Sequence, residues 1–306
     1  MRTERWEKFL SAQAGSESLN ILLSYAYVAR KRICDIRNEA FRSVSVHVFL
    51  DSGAFTAART GESISVAQYI QYIHDNRADI NTYAGLDVIG DSERTANNFR
   101  IMRSEGLDPI PCFHVGSDWR FLHQYLAQTD YVALGGMVPY ANRKDWPRLV
   151  PWLRRAFSIA AEYHPNTPVF HAFGITNTSL ARYFVWRSMD SSTATVGQRF
   201  GKVLIFDPIR FTMVQVSYND KARVASNAMR LRALGVDPAD LLRHSAYDKA
   251  TAWMLAGACY KGLQDAVRSL HRTKFRLFMA HSSPRSHDMQ MFAKGFLVND
   301  APALSA

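Results

Sequence analysis

Residues 46–55 read VHVFLDSGAF: an apolar, β-rich run, Val46–Leu50, stops abruptly at Asp51, Ser52 and Gly53, residues that turn a chain or cap a helix. The same figure recurs along the chain. LDVIGD (Leu86–Asp91), FHVGSD (Phe113–Asp118), ALGG (Ala133–Gly136), FHAFG (Phe170–Gly174) and SMDSS (Ser188–Ser192) each end a short apolar run in acidic, polar or glycine residues. The runs themselves are Ile21–Val28, Val46–Leu50, Ile80–Ile89, Pro109–Val115, Tyr131–Leu134, Pro168–Phe173 and Val185–Met189. Between them the spacing predicts helices over Val66–Asn76, Glu93–Ser104, Trp119–Ala127, Leu149–Tyr163 and Ser179–Trp186. Strands alternating with helices predict a parallel sheet with crossover connections. An open nucleotide-binding sheet usually carries G-x-G-x-x-G after its first strand, and none is present. Polar residues gathered at successive strand C-termini describe a barrel mouth instead, so the expected fold is α/β, a (β/α)8 TIM-like barrel with additional C-terminal helices.

Seven strands are counted this way. The eighth is open: Lys202–Phe206 either completes the barrel or forms a hairpin with Thr212–Ser217. Beyond about residue 221 the pattern turns helical, over Ala222–Leu234, Pro238–Tyr247 and Ala250–Leu270. The expectation is one domain over 1–306, with the barrel at about 17–220 and a helical part, about 221–306, packed on it.

The chain has 306 residues, 47% of them apolar, and can bury a large core without covalent staples. No apolar run approaches the roughly 18 residues of a membrane span, and the charged start has no leader pattern, so a cytoplasmic protein without membrane contact is expected. Cys34, Cys112 and Cys259 are widely spaced and read as buried free thiols. The net charge of +10 favours anionic partners. It is concentrated in Arg268, Arg272, Lys274, Arg276 and Arg285, interleaved with Phe275 and Phe278, and in Arg143, Lys144, Arg148, Arg154 and Arg155 around Trp146 and Trp152. Cations that hold phosphates beside rings that stack on unpaired bases are the ingredients of nucleic-acid binding, although a solvated helix face over core aromatics has the same composition.

Three carboxylates, Asp51, Asp87 and Asp190, stand at strand ends. Two carboxylates converging on one cavity suit glycosidic-bond chemistry, one at the anomeric carbon and one moving the proton of the leaving group. Singly, each could as well be a helix cap or a turn residue.

The order of these elements resembles the tRNA-guanine transglycosylase superfamily. Asp51-Ser52-Gly53-Ala54-Phe55 is similar to its D-S-G-G-F-Q, with Ala54 for the second glycine and Thr56 for the glutamine. Leu134-Gly135-Gly136-Met137 resembles its G-G-L element, and His171-Ala172-Phe173-Gly174 stands where the family has M-G-V-G. Met189-Asp190-Ser191-Ser192 resembles F-D-C/S, with Arg199 and Gly201 following. The likeness spans roughly residues 45 to 205. The tRNA enzymes carry a zinc knot of three cysteines and a histidine after the nucleophile, and nothing between Gly201 and Cys259 supplies it. The compact form is most similar to the phage and bacterial DNA 7-deazaguanine transglycosylases (DpdA type).

That resemblance implies exchange of guanine in DNA for a 7-deazaguanine derivative such as 7-cyano-7-deazaguanine. Asp190 is the implied nucleophile at C1′ and Asp51 the general acid/base. Phe55 is implied to stack on the base, Asp87 to pair with its edge, and Gly135, Gly136 and Met137 to let it approach; His114 and His171 complete the base site. Arg199, Arg143, Lys144, Arg272, Lys274 and Arg276 are expected along the nucleic-acid backbone. The implied partners are DNA with a flipped or single-stranded guanine and the free deazaguanine base. A homodimer is compatible with the resemblance, and neither a cofactor nor a metal is expected. An RNA-acting relative and a glycosylase or hydrolase that only removes a base remain alternatives. A metal-dependent barrel hydrolase, using His47, His114 and His171, is disfavoured because the first strand lacks histidine and H-x-H occurs nowhere. Gly197–Lys202 is too short between its glycines for a phosphate-binding P-loop. A binding module without chemistry leaves the strand-end acids unexplained.

Overall fold

A computed structural model describes residues 18–41, 44–140, 142–175, 177–195, 200–218, 220–243, 249–282 and 284–298. Eight strands run parallel in a single curled sheet: β1 (Leu19–Ser24), β2 (Val46–Asp51), β3 (Thr82–Tyr83), β4 (Cys112–His114), β5 (Val132–Gly135), β6 (Phe170–Ala172), β7 (Ser188–Ser191) and β10 (Arg276–Ala280). Their spatial order is β3-β2-β1-β10-β7-β6-β5-β4. The two outer strands, β3 and β4, are joined just beside their named residues. There Ala84 bridges Ile110, the Ile110 N–H donates to the Tyr83 carbonyl at 2.9 Å, and the Gly85 N–H donates to the Ile110 carbonyl at 2.8 Å.

Two expectations change here. Lys202–Phe206 is not the eighth strand of the sheet: β8 (Lys202–Asp207) pairs antiparallel with β9 (Thr212–Ser217) as a separate hairpin. The place between β1 and β7 is taken by β10, from the part read as helical, so the division at about residue 220 does not separate the sheet from an appendage. Its short sequence RLFMA is buried at its centre on both faces, as a parallel strand requires. Gln264, fully buried on the long helix Lys249–His271, fastens this segment in place. Its side-chain carbonyl accepts from Asn20 Nδ2 on β1 at 2.8 Å and from the Leu277 N–H on β10 at 2.9 Å.

The crossover helices follow the expected spans closely, with Val66–Asp75, Ser92–Ser104, Trp119–Leu126, Trp146–Tyr163 and Thr178–Tyr183. Asp91 and Asp118, two of the strand-end acids, are helix caps: each accepts an N–H of its own first turn, from Arg94 and Arg120, both at 2.9 Å. Asp51, Asp87 and Asp190 are not caps of this kind, which separates them from the other strand-end acids. Ala222–Leu234 divides into Lys221–Ser226 and Ala228–Ala233, and these close with the hairpin over their own apolar cluster of Val203, Ile205, Val216, Val224 and Leu231. Among the described residues no helix is long and apolar enough to cross a membrane.

Candidate active site

β2 and β7 are each six and four residues of mostly buried chain whose last polar residues reach the same end of the sheet. At the end of β2, Gly53 takes a left-handed φ of 79°, and a Cβ there would stand 2.7 Å from Ala26 Cβ. Only glycine makes this turn, and the turn aims Asp51 into the sheet's mouth while starting the helix Ala54–Thr60. The Gly53 N–H donates to Asp51 Oδ2 at 3.0 Å. Ser52 Oγ donates to Asp87 Oδ1 at 2.7 Å, which draws the acid after β3 toward the end of β2.

The carboxyl of Asp51 is pushed up to about pH 7 in proton affinity, first by burial and then by the negative charges of Asp87 and Asp190. Asp190, almost fully buried, accepts the Gly174 N–H on Oδ1 at 2.7 Å, and His171 Nε2 stands 3.3 Å from the same oxygen. The three acids therefore form one electrostatic unit built from β2, β3 and β7.

His114 Nε2 lies 2.9 Å from Asp87 Oδ2 and 3.5 Å from Cys112 Sγ. Cys112 and then Asp87 raise the imidazole's proton affinity well above its ordinary value, while burial raises the Cys112 thiol. Asp87, Cys112 and His114 offer donor atoms within 4.8 Å of one another, a spacing that a divalent cation could also span. Sequence reasoning sought H-x-H and passed over C-x-H at Cys112-Phe113-His114. Alternate residues of a strand share a face, so that spacing was the available signal.

The other expected site residues fall into three groups. Phe55 is 65% exposed on the first turn after Gly53, open to a ligand. Arg143 lines a cleft of about 460 Å³ with Trp146, Asn177, Arg210 and Phe211, between the segments that follow β5 and β6 and the β8–β9 hairpin; Lys144 is exposed next to it. Arg199 lies outside the described residues.

Several expectations are corrected. Met137 is wholly buried in the core and cannot meet a base. His171 is also fully buried, below Asp190 and among Phe49, Phe173 and Phe278, so it supports the acid from beneath. A Cβ on Gly135 would come within 2.5 Å of His114 Cδ2 and 2.8 Å of Cys112 Sγ, so this glycine makes room for the histidine–cysteine pair; Gly136 has a φ of 71°. Arg276 opens β10 beside Ser188, at the end of the sheet away from the acids, and Arg272 and Lys274 precede it. There burial, and after it the charge of Arg276, lowers the proton affinity of His47 to about 4. Phe275 and Phe278 are buried, and Trp152 stacks on Phe113 with ring centroids 5.6 Å apart, so these rings are core and not platforms for bases. Comparison with models of known protein families and with curated proteins finds no match to this chain.

Proposed function

We propose that this protein exchanges guanine in DNA for a 7-deazaguanine derivative, with Asp190 as nucleophile and Asp51 as general acid/base. The observation that carries the reading is the unequal treatment of two neighbouring acids. Burial and the charges of Asp87 and Asp190 raise the proton affinity of Asp51 to about 7, while Asp190 accepts the Gly174 N–H on Oδ1 and has His171 Nε2 3.3 Å from the same oxygen. Two carboxyl groups in one cavity with opposed environments are the equipment of glycosyl transfer.

In the first step Asp190 attacks C1′, the bond from C1′ to the base nitrogen breaks, and Asp51 passes its proton to the departing guanine. A glycosyl ester on Asp190 remains. In the second step the Asp51 carboxylate takes a proton from the incoming base, whose nitrogen attacks C1′ and frees Asp190. Two inversions restore the original anomer, and Asp51 ends protonated as it began. Asp87 pairs with the edge of the base and Phe55 covers its face. The target nucleotide leaves the stack to reach these groups, or is presented single-stranded. DNA is preferred to tRNA because the stretch after the nucleophile holds a hairpin with an apolar cluster in place of a zinc knot. The architecture that fits this reading is a closed (β/α)8 barrel, supported by the parallel bridge between Ala84 and Ile110 that joins its outer strands.

The test is incorporation of radiolabelled guanine into duplex DNA, single-stranded DNA and tRNA by wild type and Asp190→Ala, with chelator present. The expected result is labelled DNA, unlabelled tRNA, and no label with the variant. Labelling of tRNA alone overturns the substrate, and base release without an acceptor overturns exchange in favour of hydrolysis.

A further inference from the structure

Ser188 and Asp190 are alternate residues of β7 and so face the same side of the strand, and His171 stands beside Ser188 in register on β6. His171 Nδ1 is 2.6 Å from Ser188 Oγ, which is itself 2.6 Å from the Tyr131 hydroxyl. On the other side of the ring, Nε2 has no formed hydrogen bond and stands 3.3 Å from Asp190 Oδ1. A partly buried tyrosine, a buried serine and a buried histidine thus lie in a row ending at the acid that the preceding section reads as the nucleophile.

Each hydroxyl has one proton to give, so the row has two possible directions. If the His171 Nδ1–H donates to Ser188 and Ser188 to Tyr131, a neutral ring turns the lone pair of Nε2 toward a carboxylate oxygen. A lone pair then faces a carboxylate oxygen in a buried site, and the two repel. If Tyr131 donates to Ser188 and Ser188 to Nδ1, the ring presents Nε2–H to Oδ1. The second direction satisfies each donor and places a proton where the first places repulsion.

We infer that Tyr131, Ser188 and His171 form a relay that fixes the Nε2–H tautomer of His171 and thereby positions Asp190. The inference rests on the base-exchange reading for its consequence in catalysis, and on geometry alone for the tautomer. His171 Nε2–H and the Gly174 N–H then both act on Oδ1 of Asp190. Oδ1 becomes the carbonyl oxygen of the glycosyl ester, and the attack comes from Oδ2. When the second base arrives, the same two donors receive the charge that returns to the departing carboxylate. His171 touches no substrate; it is a positioning residue.

The tautomer is read directly from the ring-nitrogen shifts of His171 by ¹⁵N NMR, assigned by their loss in His171→Gln. Nε2 is expected to be protonated and Nδ1 not, and Ser188→Ala is expected to erode that preference. A ring protonated at Nδ1, at both nitrogens, or equally disposed in wild type and Ser188→Ala overturns the relay. In the exchange assay His171→Leu is expected to lower kcat roughly 10- to 100-fold with KM for the oligonucleotide unchanged, the loss of one hydrogen bond to a charged group. His171→Gln, which keeps an N–H, is expected to recover part of it, and it carries the test if the leucine variant fails to fold. A change confined to KM, or no rescue by glutamine, overturns the positioning role. Wild type inactive in exchange defeats the base-exchange reading, while the NMR result still decides the tautomer.

Discussion

Asp207 and Asp51 both end strands with a carboxyl group shielded from solvent, the first wholly and the second in part, and the molecule treats them in opposite ways. Asp207, at the end of β8, is wholly buried. It sits 2.7 Å from Arg230 Nη2 and 4.0 Å from Arg210 Nε, in ion pairs more than well-directed hydrogen bonds, and accepts the backbone N–H groups of Ile209 and Arg210 at 3.1 Å each. Asp51 has one backbone N–H and, among the described residues, no cationic partner. Its charged neighbours are Asp87 and Asp190, which carry the same sign. A buried carboxylate that is compensated holds a fold together. One packed against like charges opposes folding, and persists where its proton has work to do. Under the proposed function the hairpin acid serves structure and the mouth acid chemistry, and substitutions at the two sites should have opposite signs for stability.

The largest effect that separates them is expected from Asp51→Asn. Removing the proton carrier should lower exchange by roughly 10²- to 10⁴-fold, the range of general acid–base catalysis. The same substitution should stabilise the fold. Between the ordinary aspartate value of 3.8 and about 7, folded Asp51 holds a proton that the unfolded chain has lost, so stability falls as pH rises through that window. Asparagine removes the penalty, which is complete only above pH 7. The gain in Tm should be larger at pH 8 than at pH 5 and amount to several degrees, since each unit corresponds to about 1.4 kcal/mol and each kcal/mol to about 2–4 °C. Release of guanine by the wild type should correspondingly decline above about pH 7 as Asp51 loses its proton. A lower melting temperature for Asp51→Asn at pH 8 would break the contrast with Asp207.

Asp207→Ala should do the reverse. It leaves Arg230 without its carboxylate and two backbone donors without an acceptor. The cost is expected at about 2 kcal/mol, below the 3–5 kcal/mol of a fully buried pair because the arginine reaches solvent. A fall in Tm of roughly 4–8 °C follows. Exchange per folded molecule should stay within about twofold of wild type, as befits a change remote from any reacting group. Loss of exchange at unchanged stability would instead join the hairpin to the site.

The contrast also explains what could be read from sequence. Asp51, Asp87 and Asp190 were legible because each follows a β-rich run, and strand ends in a parallel sheet converge whatever the details of packing. The run at β2 gave that strand to within one residue, whereas the run Val185–Met189 overlapped only the first two residues of β7, Ser188–Ser191. Arg276–Ala280 was missed for a physical reason: it is short, begins in a cluster of cations, and is a strand only because β1 and β7, distant in sequence, leave a place between them. Ile80–Ile89 shrank to Thr82–Tyr83 because Gly85 and the polar turn after it carry the chain away from β2. The neighbours of the acids were less visible still. Ser52, Cys112, Tyr131 and Ser188 matter through contacts across strands, which depend on register and on which face each side chain takes. Composition likewise could not place the basic residues, and the run from Arg268 to Arg276 proved to lie away from the mouth, with Arg268 Nε donating to the Phe275 carbonyl at 2.7 Å.

The smallest and most discriminating effect is expected at Phe55. A large ring left 65% exposed costs little to remove from the fold, and nothing in its surroundings requires it. Its position one turn beyond Asp51, on a helix that Gly53 alone can start, is explained if the ring covers a base held at the acids. Stacking of an aromatic side chain on a base contributes about 1–3 kcal/mol, and partial overlap at an open mouth puts Phe55 at the lower end. Phe55→Ala should therefore raise KM for the oligonucleotide roughly fivefold, leave kcat within about twofold, and leave Tm unchanged. Phe55→Trp should restore KM, since the larger ring offers the same face. A fall in kcat with KM intact would mean that Phe55 orders the acids and not the base, and the mouth would then owe its recognition of the base to Asp87 and the His114 imidazole facing it.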